Sequence, residues 1–241
     1  DIGAYIHIPF CNSKCAYCNF FSQVRSKDVR REYVKALASQ IRSYPNKAAL
    51  STVYIGGGTP SVLSAEDLWE ILSALHEVFD FSSVSEFTVE MNPESVTDDI
   101  LSVLKDGKAD RISLGIQSFC DDELRLCRRK HSAEEAENAF LKIRSAGFEN
   151  ISVDLILALP GQTEKDLLYS LEKTVSLSPD HVSAYILKVE EKTLFSGDTI
   201  FRGTYGRTDF PLSDGAEIFR SIKKVLSEIP DDVRIYPGHG L

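Results

Sequence analysis

Three cysteines constrain this chain more than anything else in it. Cys11, Cys15 and Cys18 are separated by three and then two residues, so all three fall on one short loop. Thiols held that closely can meet around a single inorganic centre, and soft thiolates favour zinc or an iron–sulfur cluster. A structural zinc site takes four protein ligands, and no fourth Cys or His follows at finger spacing. A cluster on three thiolates leaves one iron without a protein ligand, open to a substrate or cofactor. The competing readings are a zinc knuckle and three unrelated buried thiols, and the later motifs argue for the cluster.

Composition bounds the rest. The 241 residues suffice for one α/β domain or one and a half. A 43% hydrophobic and 26% charged chain is ordinary for a globular protein, and a net charge of -9 speaks against a nucleic-acid groove. No apolar run reaches membrane-spanning length and no signal peptide is visible. Five cysteines, three of them clustered, suit a reducing cytosol better than a secreted disulfide framework, so a cytoplasmic protein is expected. Cys120 and Cys127 read as small, semi-buried residues. A chain starting at Asp1 is expected to be a piece of something longer.

Hydrophobic periodicity then alternates between strand and helix. Strands are expected at 3–8, 52–55, 86–91, 111–117, 151–157 and 181–187. Helices are expected from about 28 to 44, after Ser64, from about 97 to 107, from Ser132 to Gly147 and from 163 to 177. Ser64 with Asp67, and Ser132 with Glu135, have capping-box spacing. The nearly continuous apolar run at 151–157 reads as a strand covered on both faces. Six β units joined by helices imply a parallel sheet curled into a partial (β/α)6, TIM-like barrel.

Parallel barrels gather functional groups where the strands end. The cysteines follow the first strand. Gly56-Gly57-Gly58-Thr59-Pro60 follows the second, where glycines let backbone N–H groups approach a ligand closely. Glu90 ends the third, and a carboxylate in an apolar strand needs a partner. Gln117 ends the fourth and Asp154 lies on the fifth. A buried polar network tying strands together is the alternative for these three. His7, His76, His131 and His181 read as packing or surface residues, with His7 alone beside the cysteine loop.

The pattern C-x3-C-x-aromatic-C resembles the signature of radical S-adenosylmethionine (SAM) enzymes. Its flanks, Tyr5-Ile6-His7-Ile8-Pro9-Phe10 and Asn19-Phe20, resemble the oxygen-independent coproporphyrinogen III oxidase and haem-chaperone branch of that family. The resemblance implies a radical SAM partial barrel in which Cys11, Cys15 and Cys18 hold a [4Fe–4S] cluster and SAM chelates the fourth iron. It implies that Gly57, Gly58 and Thr59 meet the methionyl part of SAM, as the family's GGGTP motif does, and that Glu90 binds SAM. It assigns Gln117 and Asp154 to the ribose or adenine side, and Arg129 to the SAM carboxylate, a role a guanidinium can fill bidentately. Tyr5 and Tyr17 match positions that pack on SAM or near the cluster. Arg128 stands where the family pattern has glycine. In such enzymes the reduced cluster cleaves SAM to a 5′-deoxyadenosyl radical, and the protein grips SAM and excludes side reactions.

Within the branch, the coproporphyrinogen dehydrogenases carry another Cys where this chain has Phe20, and an extended N-terminal arm that has no counterpart here. Both differences favour the haem-chaperone group, which binds haem and delivers it to haem proteins. Oxidative decarboxylation of coproporphyrinogen III is the alternative. The expected partners are haem or a porphyrinogen, haem-accepting proteins, and an electron donor such as flavodoxin or ferredoxin.

That resemblance is expected to cover residues 1–193. Residues 194–241 form a short α/β C-terminal segment that resembles the late part of a metallo-β-lactamase-fold hydrolase of the glyoxalase II type. Its Gly197-Asp198, Gly206-Arg207-Thr208-Asp209 and Tyr236-Pro237-Gly238-His239-Gly240 carry the likeness. The resemblance makes Asp198 and His239 metal ligands, but the H-x-H-x-D-H half of that site does not occur in this chain, so a metal-dependent hydrolase is the distant alternative. The segment reads either as a joined hydrolase fragment, the preferred reading, or as a hairpin and helix closing the barrel. Its helix would bury Ile218, Phe219, Ile222, Val225, Leu226 and Ile229.

Overall fold

The structure, a computed structural model, describes residues 2–45 and 48–187, and beyond them the strand residues 193–197, 200–201, 204–205 and 234–237. The chain divides into two compact units, Asp1–Leu187 and Lys188–Leu241.

In the first unit the strands are β1 (Ile2–Ile8), β2 (Leu50–Gly57), β3 (Glu86–Met91), β4 (Arg111–Gln117), β5 (Asn150–Leu157) and β6 (His181–Ile186). The helices are α1 (Lys27–Arg42), α2 (Ala65–Val78), α3 (Asp98–Asp106), α4 (Asp121–Leu126), α5 (Ala133–Ser145) and α6 (Glu164–Leu177). The strands form one sheet in the order β1-β2-β3-β4-β5-β6, every neighbouring pair parallel. Helical crossovers to the next strand put all the strand C-termini at one end, as parallel pairing requires. β1 and β6 stay unpaired with each other, so the sheet is an open, partial barrel.

The longer helices start where side chains replace missing backbone partners. Ser26, Ser64, Thr97, Ser132 and Thr163 each accept a first-turn N–H, worth about 1 kcal/mol apiece. Ser132 with Glu135 and Thr163 with Asp166 close full capping boxes. At Ser64 the Asp67 N–H donates to the cap, but Arg31 takes the Asp67 carboxylate at 2.6 Å. An ion pair across to α1 has displaced the second half of that box.

Sheet alternation divides the strands between a core and a polar interior. Ile55, Phe87, Val89, Ile112, Leu114, Ile151 and Val153 pack with Leu68, Leu72, Leu101 and Phe140 of the helices. Alternate residues point to the other face, among them Tyr54, Thr88, Glu90, Ser113, Ser152 and Asp154. The run at 151–157 is buried on both faces as expected, with Ile151 and Val153 on one and Ser152 and Ile156 on the other, and the second face also carries polar groups. Ser152 Oγ lies 3.0 Å from His181 Nδ1, and Ser113 donates to Asp154 at 3.0 Å.

In the second unit β7 (Thr193–Gly197) pairs in parallel with β10 (Arg234–Pro237), and β8 (Ile200–Phe201) pairs antiparallel with β9 (Thr204–Tyr205). Asp198, His239 and the expected helix from 218 to 229 lie outside the described residues. Among the described residues no helix is long and apolar enough to cross a membrane.

Candidate functional site

At the C-terminal ends of the strands lies a cavity of about 390 Å³. Every site residue expected in the first unit borders it: Tyr5, Cys11, Cys15, Tyr17, Cys18, Gly57, Gly58, Thr59, Glu90, Gln117, Arg129 and Asp154. They come from β1 and its loop, β2, β3, β4, the α4–α5 turn and β5.

The cysteine loop is fastened on several sides. Cys11 N–H donates to Gln23 O at 3.1 Å, and Gln23 N–H to Pro9 O at 2.9 Å. Lys14 Nζ donates to Phe20 O and Ser22 Oγ, and Arg30 reaches Asn12. Ala16 N–H donates to Cys127 O at 3.0 Å, while Tyr17 packs on buried Cys127, Ile156 and Leu159. Burial pushes the Tyr17 hydroxyl's pKa up. Burial also raises Cys18, against the pull of the Phe20 N–H and the Lys14 ammonium. Cys11 Sγ lies 3.5 Å from Thr59 Oγ1, and Arg129 Nη1 donates to Cys15 Sγ at 3.5 Å. Among the described residues no three His, Cys, Asp or Glu side chains converge on a single-ion site. Cys120 and Cys127 have thiols raised by burial, as expected of inert packing residues.

The glycine turn is built against this loop. Gly58 N–H donates to Ile8 O at 2.8 Å, and a Cβ on Gly58 would lie 2.5 Å from Phe10 O. Gly57 has φ +112°, and a Cβ there would meet the His7 ring at 2.4 Å. His7 is held by Tyr5 OH at 3.0 Å on Nδ1 and by Phe21 O at 3.2 Å on Nε2. The Phe21 carbonyl can only accept, so Nε2 carries the proton and Nδ1 accepts from Tyr5. Glu90 finds its partners in Tyr54 OH (2.6 Å) and Gly57 N–H (3.0 Å). Burial and the Glu90 bond together push Tyr54 well above the usual phenol range.

On the opposite side, β4 is irregular where it meets the cavity. Its register with β5 skips between Gly115 and Gln117, and Gln117 takes φ +74°. A non-glycine residue there stores about 1–3 kcal/mol, a strain typical of functional sites. Burial raises the Asp154 carboxyl despite the Ser113 bonds. α4 ends with Arg128 N–H donating to Arg125 O and Arg129 N–H to Leu124 O, a Schellman arrangement. It needs a left-handed residue at Arg128, whose φ is +57°. Here the arginine adopts the backbone conformation that glycine favours, and the turn delivers Arg129 to the cavity.

Arg129 Nη2 donates to Gly115 O at 2.6 Å and Asn92 Oδ1 at 2.9 Å, while its Nε–H is buried without a partner among the described residues. Burial opposes its charge, but Tyr17, Cys15 and Glu94 hold its pKa above the ordinary value. Glu94 also borders the cavity. Its burial is outweighed by His131 and Arg129, which hold its carboxyl below the usual range. His131 is buried between Glu94 Oε2 and Ile116 O.

Sequence reasoning missed Tyr54, Asn92, Glu94 and Ser113. The signal for three of them was period-two spacing: Tyr54 precedes Gly56 by two residues, Asn92 follows Glu90 by two, and Ser113 precedes Gly115 by two. α4 was also missed, because six residues are too few to show helical periodicity.

The residues fit a cluster and SAM. Three thiols share one cavity, each of their sulfurs has a hydrogen-bonding neighbour, and a buried guanidinium N–H beside them has no partner among the described residues.

Comparison with known proteins agrees. The family model of the radical SAM superfamily matches residues 5–174, and that of the metallo-beta-lactamase superfamily matches residues 120–239. The chain is 38% identical over 227 residues to the heme chaperone HemW of Lactococcus lactis, covering 94% of this chain and 59% of the relative. That share cannot be reached without residues beyond 193. It is 41% identical over 197 residues to HemW of Bacillus subtilis, covering 80% of this chain and 52% of the relative. The chain thus spans little more than half the length of these curated relatives. In structure it is similar to the radical SAM enzyme coproporphyrinogen III oxidase (HemN) from Escherichia coli, with a TM-score of 0.72 and 24% identity. That likeness covers 94% of this chain and 52% of that one. The family implies a [4Fe–4S] cluster and SAM as cofactors, and the late segment resembles a metallo-β-lactamase fold. With its motif, its open parallel barrel and its family match over residues 5–174, the chain belongs to the radical SAM superfamily.

Proposed function

We propose that this chain is the cluster- and SAM-binding part of a haem chaperone. Cys11, Cys15 and Cys18 would hold the [4Fe–4S] cluster. The Gly57–Thr59 backbone and Glu90 would take the amino and methionyl part of SAM, Arg129 its carboxylate, and Gln117 and Asp154 its ribose or adenine side. When bound, the reduced cluster supplies one-electron cleavage of SAM. The chain's own part is to orient SAM and keep water from it: Tyr54 and Gly57 fix Glu90, and Ser113 fixes Asp154. The observation that carries this reading is that the three cysteines, Gly57, Gly58, Thr59, Glu90, Gln117, Arg129 and Asp154 all border one cavity at the strand ends.

The choice of haem chaperone over porphyrinogen oxidase is supported by the likeness to HemW and by Phe20, which lines the cavity and is 74% exposed. Haem is then the ligand, a haem-accepting protein the partner, and a flavodoxin or ferredoxin the electron source. The test is anaerobic titration of the reconstituted protein with haemin, followed by transfer to an apo-haem protein. A saturable Soret shift and transfer without protoporphyrinogen formation support the reading. Decarboxylation of coproporphyrinogen III would replace it with the oxidase.

A further inference from the structure

Two cluster cysteines are joined through a side-chain circuit that starts and ends on sulfur. Thr59 Oγ1 lies 3.5 Å from Cys11 Sγ and accepts from Asn92 Nδ2 at 2.9 Å. Asn92 Oδ1 accepts from Arg129 Nη2 at 2.9 Å, and Arg129 Nη1 donates to Cys15 Sγ at 3.5 Å. The directions in this circuit are fixed. A guanidinium only donates, so the Asn92 oxygen must face Arg129 and its NH2 must face Thr59. The Thr59 oxygen is then occupied as an acceptor by Asn92, which leaves its O–H for Cys11. A ligated thiolate only accepts, so both ends of the circuit deliver donors to sulfur.

We propose that Asn92 is a positioning residue that sets the reduction potential of the cluster by aiming Thr59 O–H at Cys11 and Arg129 N–H at Cys15. The inference rests on the cluster reading above. Hydrogen bonds to ligand sulfurs favour the more negative, reduced cluster and raise its potential. Asn92 touches neither sulfur, and it acts through the two groups that do. An aspartate in its place would keep Arg129 but offer Thr59 a second acceptor, turning the hydroxyl away from Cys11.

The test is a mediated redox titration of the anaerobically reconstituted chain, read by EPR of the reduced cluster, with iron and sulfide counted first. Asn92→Ala should keep the wild-type iron content. At a fixed poise its reduced-to-oxidised ratio should fall about tenfold, which for one electron is ~59 mV. Thr59→Val should lower the potential in the same direction by a smaller step, and Thr59→Ser should restore it. A purely structural role for Asn92 would change cluster content, not potential. If Asn92→Ala fails to assemble, Thr59→Val against Thr59→Ser carries the test. Variants that hold the cluster and titrate with the wild type overturn the inference. A wild-type chain that takes up no iron and sulfide overturns the cluster reading itself, before any potential is measured.

Discussion

Along β2, β3 and β5, neighbouring residues lead to opposite fates. Ile55, Phe87, Val89 and Val153 are fully buried beneath the helices, while Tyr54, Glu90 and Asp154, one residue away, belong to the polar network under the cavity. The helix face contributes stability through apolar burial. The cavity face holds a raised carboxyl, a strained Gln117 and an orphaned Arg129 N–H, features that weaken the fold and suit a ligand. Alternation of period two is enough to keep these roles apart on the same strands.

Substitutions should separate the faces, starting with the largest effect. Phe87→Ala empties the centre of the helix face and should cost about 3–5 kcal/mol in denaturant melts at unchanged m-value. Next comes Gly57→Ala, which must adopt φ +112° and push against His7. It should cost about 1–3 kcal/mol and also lose SAM affinity, as read by equilibrium dialysis. Arg128→Gly relieves a left-handed arginine and should stabilise by about 0.5–1 kcal/mol while leaving the Arg129 turn in place. A destabilised Arg128→Gly would mean that the side chain has contacts outweighing its backbone strain.

The smallest effect is a pH slope. The Asp154 carboxyl is raised by burial, so its contribution is fully present below the unfolded pKa of about 3.9 and is lost as pH rises through the higher folded value. Asp154→Asn keeps an acceptor for Ser113 and removes that loss. Its stability relative to wild type should grow from about pH 4 upward in parallel melts. Equal pH profiles would mean that Asp154 is solvated and does not belong to the buried face of the site.

Much of this comparison was legible in the sequence. Six strands could be read from periodicity, and the caps Ser64 and Ser132 from their spacing. The cysteines, Gly57–Thr59, Glu90, Gln117 and Asp154 could be read from their places on the strands and at their ends, whereas Tyr5, Tyr17 and Arg129 rested on the family resemblance. What escaped was side-chain partnership. Nothing in Asn92 or Tyr54 alone shows that one joins Thr59 to Arg129 and the other holds Glu90, because those bonds cross between strands. The half-made capping box failed for the same reason, since Arg31 of α1 reaches Asp67 of α2. The family pattern has glycine at position 128, and the backbone there is left-handed with arginine in place.

The central claim is that Cys11, Cys15 and Cys18 border a cavity that holds a [4Fe–4S] cluster with an iron open to SAM. Anaerobic reconstitution with iron and sulfide, followed by EPR of the reduced protein with and without SAM, tests it directly. The account predicts a [4Fe–4S]+ signal that shifts when SAM is added and is lost when any one of the three cysteines becomes alanine. A chain that binds only zinc, or a cluster whose signal ignores SAM, would contradict it.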